Sequence, residues 1–402
     1  MHQTTLLLIV FLSPVLDGVA VALVLFCSWE KLLESDATPC LSFPRVLLAA
    51  GAGAAVFLFK LPILVVLGLD FFGLMHIVYL DLVITIPALG VVVLIMCSKL
   101  GRSRPRLPAT PIVRVLAVLS LFAIAPGIYG SLIEPFRLRL EHAVIPVKDE
   151  RVGSGELRIG VLADIQTDGI SSFEHEALDA LLARKPDIIV LPGDFFQAPE
   201  SAVERGMKHL QAFFRRLHVP VGVYAVLGNA DIDVRRVRQM FEGSKVRLLE
   251  NEVVRVRVKG WELTIAGLDV DYDSAAAAAA IAELENSPGE EDFRLLLCHY
   301  PDVIEGLSRS SRVDLVVSGH THGGQVCLPG FGPLLTLSRV PRHVAAGGYH
   351  EIDGRRIYVS RGLGMERAQA PRIRVFCPPE VSVLDLTKDV GGTASAKRSS
   401  GH

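Results

Sequence analysis

Ser318-Gly319-His320-Thr321-His322-Gly323-Gly324-Gln325 closes a mainly apolar run over residues 313–317. That run reads as a buried strand, because it is short, rich in β-branched residues and bounded by glycine and polar side chains. Two imidazoles one residue apart, just past a strand end, reach two different points in space when glycines let the backbone turn sharply around them. This is a geometry for holding metal ions. An isolated His-x-His is as often a polar turn facing water, so the other strand ends have to decide.

Working back from this turn, short apolar strands alternate with helical periodicity: strands over 157–163, 187–191 and 222–227, and helices over 173–184, 202–217 and 234–242. Short strands follow over 246–249, 253–258 and 263–268. A helix over 274–285 contains six consecutive alanines, which are good helix formers. Strands over 293–298, 313–317, 356–360 and 381–386 complete an α/β layered domain. Five of the strand ends carry polar punctuation: Asp164-Ile165-Gln166, Gly193-Asp194, Gly228-Asn229-Ala230-Asp231, His299, and the His320/His322 turn. Ligands in layered α/β sheets sit beyond the carboxyl ends of strands, so the five ends should meet in one crevice. Mixed oxygen and imidazole donors suit Mn, Fe or Zn better than Ca or Mg.

Taken together these five motifs resemble the calcineurin-like metallophosphoesterase superfamily, whose pattern is Asp-x-His, Gly-Asp, Gly-Asn-His-Asp/Glu, a lone His and Gly-His-x-His. The Gly-Gly-Gln after His322, the segment Ser360-Arg361-Gly362-Leu363-Gly364, and Cys377-Pro378-Pro379-Glu380 are similar to its membrane-anchored bacterial branch. The resemblance spans about residues 156–388. It implies a four-layer αββα sandwich and a site for two divalent ions, Mn or Fe first and Zn as the alternative. By position, Asp164, Gln166 and His322 would hold one ion and Asn229, His299 and His320 the other, with Asp194 bridging. Two ions about 3.5–4 Å apart can activate water and clamp phosphoryl oxygens, with Asp194, Asn229 and Asp231 as the catalytic set.

Two positions depart from that pattern. Gln166 supplies an amide oxygen where the family has an imidazole, which weakens the first site or shifts it toward harder ions. Ala230 stands where the family keeps a histidine that assists the leaving oxygen, and losing a positioned acid costs roughly 10²–10⁴ in rate. Asp231 and Asp168 are close enough in sequence to substitute. A substrate with a good leaving group, such as a pyrophosphate, needs that acid least.

Hydrophobic residues make up 50% of the 402 residues, and the excess lies before residue 135. Residues 5–27, 46–69, 72–97 and 111–133 are each long enough to cross a bilayer as a helix. This sets a transmembrane domain (1–133), a linker (134–155), a metallophosphoesterase domain (156–388) and a disordered tail (389–402). Lys99, Arg102, Arg104 and Arg106 in one loop, with Lys31 and Arg45 in another, place those loops in the cytoplasm and the large domain outside it. Arg137, Arg139, Lys148 and Arg151 pull weakly the other way. Asp17 and Lys60 fall at similar depth in antiparallel spans and are expected to pair, whereas Asp81 shows no partner. Pro62, Pro87 and Pro126 are expected to kink their helices. A formal net charge of −2 leaves no broad basic surface, so no nucleic-acid partner is expected. Six cysteines without a CxxC pair form neither a zinc ribbon nor a disulfide framework.

The expected function is hydrolysis of a phosphoester or pyrophosphate on a membrane-associated substrate, with a lipid-linked phosphate as the partner that the spans suggest. The alternative is a weakened metal- and phosphate-binding sensor, motivated by Gln166 and Ala230. Arg339, Arg342 and Arg361 are candidates for a second phosphate contact, with ordinary surface charge as the competing reading. His343 is the remaining histidine close in sequence to the metal turn.

Overall fold

The structure is a computed structural model that describes residues 3–34, 43–103, 111–147, 153, 155–289 and 291–388. The tail expected over 389–402 lies outside the described residues. The chain forms two compact units, Met1–Glu134 with Glu366–Ile373, and Pro135–Met365 with the residues from Arg374 onward.

The first unit contains four helical spans, Thr5–Cys27, Phe43–Val66, Phe71–Ser98 and Pro111–Phe136, each long and apolar enough to cross a membrane. Lys60 Nζ pairs with Asp17 Oδ2 and donates to the Ser13 carbonyl at 2.8 Å, so the expected ion pair is present. The helix breaks follow two of the three prolines. A π turn over Asp81–Thr85 precedes Pro87, and helix Pro111–Leu121 gives way to Ile124–Ile128 around Pro126. Pro62 lies inside the uninterrupted helix Phe43–Val66, so no break occurs there. Residues 366–373, expected within the soluble domain, group with the spans. The Gln369 side chain accepts the Asp70 N–H and donates to the Gly68 carbonyl, and its own carbonyl lies 3.1 Å from His76 Nδ1.

The second unit is built on two six-stranded sheets. The first uses β1 (Arg139–Val147), β2 (Leu157–Val161), β3 (Ile188–Leu191), β4 (Gly222–Ala225) and β5 (Val246–Leu248). The second uses β6 (Glu252–Val258), β7 (Trp261–Gly267), β8 (Phe293–Leu297) and β9 (Leu315–Ser318). A two-stranded ribbon, β10 (Cys327–Leu328) and β11 (Gly332–Pro333), follows. Then β12 (Gly348–Ile352) and β13 (Arg355–Val359) join the second sheet, and β14 (Glu380–Lys388) returns to the first. The sheet orders are β1-β14-β2-β3-β4-β5 and β12-β13-β9-β8-β7-β6.

Alternation along each strand builds the layers. Ile188 and Val190 of β3, with Leu295 and Leu297 of β8 and Val317 of β9, enter one core between the sheets. Ile189 and Leu191 face the helices Ser172–Leu182 and Glu200–Arg215, while Leu296 and Val316 face helix Ala275–Glu285. Strands buried on both faces read as continuous apolar runs, and the result is the expected αββα arrangement. One expectation needs correction. Residues 134–155 are not simply a linker, because β1 pairs in parallel with β14 over nine residues, from Arg139↔Glu380 to Val147↔Lys388.

Candidate metal centre

The turns after β2, β3, β4, β8 and β9 supply all seven residues of the expected donor set. Asp164, Gln166, Asp194, His299 and His322 are buried, and His320 is half-buried. Five of them, Asp164, Gln166, Asp194, His320 and His322, have positive φ, among thirteen non-glycine residues so placed in the described chain. Backbone held in this region costs free energy and persists where surrounding structure over-determines it. Here the surroundings are neighbouring strand ends. The Asp164 carboxylate accepts the His320 N–H at 2.9 Å, and Asp194 Oδ1 accepts the Ala230 N–H at 2.7 Å.

The glycines of the motifs make this approach feasible. A Cβ on Gly228 would sit 2.1 Å from Asp194 Oδ1, and one on Gly319 would sit 2.3 Å from Asp164 Oδ2. Each Gly-Asn and Gly-His pair is therefore a place where one turn admits the carboxylate of another.

Donor atoms of Asp164, Asp194 and His322 lie within 4.8 Å of one another. His322 Nε2 is 4.0 Å from Asp164 Oδ1 and has no hydrogen-bond partner. Beside this group, His299 Nδ1 lies 2.7 Å from the Pro192 carbonyl, which can only accept, so Nδ1 carries the proton. Its Nε2 lone pair then faces Asn229 Oδ1 at 2.9 Å and Asp194 Oδ2 at 3.5 Å. His320 repeats the pattern: its ring is bonded to the Leu337 carbonyl, and Nδ1 faces the same Asn229 oxygen at 2.9 Å. Carbonyl-anchored imidazoles turning lone pairs toward carboxylate and amide oxygens crowd acceptor atoms together, the donor chemistry a cation requires. The residues present therefore fit divalent metal. Burial lowers the His299 pKa to about 4; burial and then the neighbouring His299 lower that of His320 to about 3. His322 is pushed well below its usual value, again chiefly by burial. All three are neutral near pH 7, the form in which imidazole binds metal.

Gln166 joins the cluster, its Nε2 lying 3.3 Å from Asp194 Oδ2. Asp231, expected in the catalytic set, is held at the edge of the cluster by backbone donors. Its carboxylate accepts the N–H groups of Asp194, Phe195 and Gly228 at 2.7, 3.0 and 2.9 Å, so it is committed to the backbone of two turns. Asp168 is exposed. Arg361, a candidate for a second phosphate contact or for ordinary surface charge, is paired with Glu380 and Glu141. Arg339 lies 3.3 Å from Glu305, Arg342 stacks on Phe331, and His343 packs against His350.

Sequence reading missed two contributors. Tyr300 packs its ring 4.3 Å from that of His320. Fully buried Arg374 donates to the carbonyls of Arg361, Gly362 and Gly364 at 2.8, 3.1 and 2.5 Å. That loop in turn bonds back through Gly364 N–H to the Asp164 carbonyl at 2.7 Å. The only sequence signal for Arg374 is its closeness to the Cys377-Pro378-Pro379-Glu380 segment.

These two sheets and this crevice have the metallophosphoesterase fold. Residues 157–324 match the family model described as calcineurin-like phosphoesterase. The chain is 30% identical to the metallophosphoesterase YkuE of Bacillus subtilis, covering 50% of this chain and 68% of that protein. It is 28% identical to the metallophosphoesterase YkoQ of the same organism, over 67% of this chain and 97% of YkoQ. It is 27% identical to the phosphodiesterase YaeI of Escherichia coli, over 54% of this chain and 76% of YaeI. The chain belongs to the calcineurin-like phosphoesterase family, whose members normally bind divalent metals.

Proposed function

We propose that the crevice hydrolyses a phosphoester or pyrophosphate carried by a membrane-associated molecule, with a lipid-linked phosphate as the substrate class. The observation that carries this reading is the convergence of carboxylate, amide and imidazole acceptor atoms at the five strand ends. Asp164, Gln166 and His322 would hold one ion, Asn229, His299 and His320 a second, and Asp194 would lie between them. When bound, such ions supply Lewis acidity to the phosphoryl oxygens and make water nucleophilic at neutral pH. The protein's part is to hold those donors in place: carbonyls orient His299 and His320, and the Ala230 N–H and the Asp231-braced backbone position Asp194.

Ala230 offers no side chain that could give a proton to a leaving oxygen. This favours diesters or pyrophosphates with stable leaving groups over simple alkyl monoesters. The four apolar helices support a substrate reached at the bilayer, and the Lys and Arg of the inter-span loops support an extracytoplasmic catalytic domain over 156–388. Mn or Fe is the expected metal, with Zn as the alternative.

The test is elemental analysis of the purified full-length protein and its Asp194→Ala variant after growth with Mn and Fe. Hydrolysis of a lipid pyrophosphate and of bis(p-nitrophenyl) phosphate is then compared in detergent micelles. About two ions per chain, lost with Asp194, together with faster turnover of the lipid substrate, is the expected result. One ion or none, with phosphate binding but no turnover, would favour the sensor reading that Gln166 and Ala230 motivate.

A further inference from the structure

Among the helices of the membrane unit lies a cavity of about 640 Å³. Its wall is largely apolar, with Val21, Leu25, Phe57 and Val93 along it, and among the described residues Asp17 and Asp81 are the acidic ones that line it. The space follows from small side chains on the second span. Ala50 lines it, and Gly53 brings that span so close to the first that a Cβ there would meet Val21 Cγ2 at 2.7 Å.

The charges around this cavity do not balance. Asp17 Oδ2 is paired with Lys60, and the same ammonium donates to the Ser13 carbonyl. Asp17 is only 6% exposed, and its Oδ1 and the buried Oδ1 of Asp81 have no hydrogen-bond partner. The Asp81 carboxyl lies against Asp17 and Thr85. Two carboxyl groups thus share one ammonium in a segment apolar enough to sit in hydrocarbon, where uncompensated charge is costly and intramembrane acids mark ligand or ion sites. What the cavity lacks is one positive charge with hydrogen-bond donors. What it offers beside that gap is an apolar wall within the usual size of small-ligand pockets, about 300–1,000 Å³.

We propose that this cavity binds an amphiphile whose head is an ammonium group, its N–H donors meeting the free oxygens of Asp17 and Asp81 and its chain lying along the apolar wall. Two carboxyl groups at the head position repel a phosphate. The ligand therefore differs in chemistry from the phosphorylated substrate of the crevice, and the inference does not depend on the hydrolase reading.

The experiment uses the full-length protein in detergent micelles and a photoreactive hexadecylamine, beside the alcohol and carboxylic acid of the same chain, with labelled peptides mapped by mass spectrometry. The amine is expected to label the first three spans saturably, at least ten-fold above the alcohol and the acid. Asp81→Asn should lower amine labelling at least ten-fold. Ala50→Phe, which fills the cavity from an exposed lining position, should abolish it while the elution profile and melting temperature stay at wild-type values. Equal labelling by amine and alcohol in the wild-type chain would overturn the proposal. So would unchanged amine labelling in Asp81→Asn, since the spare carboxyl would then be neutralised by a proton alone.

Discussion

Asp231 braces Asp194 through the backbone. One oxygen of the Asp231 carboxylate accepts the N–H groups of Asp194 and Gly228, and the other accepts that of Phe195, all inside the protein. This joins the turn after β3 to the turn after β4. Asp231→Asn would point an amide donor at a backbone donor. Leaving buried groups unsatisfied costs about 1–3 kcal/mol, so the variant should melt earlier and bind less metal. Differential scanning calorimetry and elemental analysis on the same preparation check this. A fall in turnover with stability and metal content unchanged would instead make Asp231 a participant in the chemistry.

Much of this site was legible in the sequence because strand burial and turn chemistry coincide there. Runs such as residues 188–191 end in Gly193-Asp194, and burial on both faces leaves no polar residue to blur the boundary. The Asp17–Lys60 pair was legible for a different reason, since depth in a bilayer converts sequence position into height. β1 was hidden. Its Arg139, Glu141 and His142 look like linker residues, and the partner that makes them a strand, β14, lies more than two hundred residues away in sequence. A similar distance hid the pairing of Arg361 with Glu141 of β1, although its other partner, Glu380 of β14, lies only 19 residues away. The contacts by which Asp231 braces two turns were not legible, because they are set by backbone N–H directions that no side-chain pattern encodes.

Ala230→His should separate leaving-group chemistry from metal binding. Its N–H already serves Asp194, and the residue is partly exposed, so a larger side chain has room to extend from the turn. For an alkyl phosphoester, where proton donation limits the rate, an added acid should raise kcat by roughly 10²–10⁴. For bis(p-nitrophenyl) phosphate or a pyrophosphate the change should be less than about ten-fold, because those leaving groups need little help. Steady-state kinetics on both substrate types measures the contrast. A large gain on every substrate, amplified by adding Gln166→His, would identify the native site as a weakened one.

Asp385 predicts a pH dependence away from the crevice. It sits on β14 opposite Arg158 of β2, receiving Nε at 2.6 Å and Nη2 at 3.2 Å, with His142 Nε2 at 2.7 Å. Burial opposes its ionisation, but the bonds from Arg158 and His142 outweigh burial and hold its pKa below the usual aspartate value. A carboxylate with a lowered native pKa contributes stability that is fully present above the unfolded pKa, about 3.9. That contribution is lost as pH falls through the native value. Asp385→Asn should therefore lower stability by about 1.5–3 kcal/mol at pH 7, and the gap to wild type should close as pH falls below about 4. Urea melts of both proteins across pH 7 to 3 test this, and a gap independent of pH would show that packing accounts for the effect.

The Asp17–Lys60 pair makes the last prediction, because a buried ion pair responds differently to losing one member and to losing both. The two residues are 6% and 7% exposed, and the Lys60 ammonium has only Asp17 and the Ser13 carbonyl as hydrogen-bond acceptors among the described residues. In an Asp81→Asn background, where no second carboxyl can compensate, Asp17→Asn strands that ammonium and Lys60→Met leaves the Asp17 carboxyl without a cation. Breaking a buried pair this way costs about 3–5 kcal/mol. The double variant Asp17→Asn/Lys60→Met removes both charges, and such replacements are often neutral or stabilising. Thermal melts in detergent should place each single variant well below the Asp81→Asn parent and the double variant close to it. If the double variant falls as far as the sum of the singles, the pair contributes through packing of its side chains, and charge compensation is not what holds the first two spans in register.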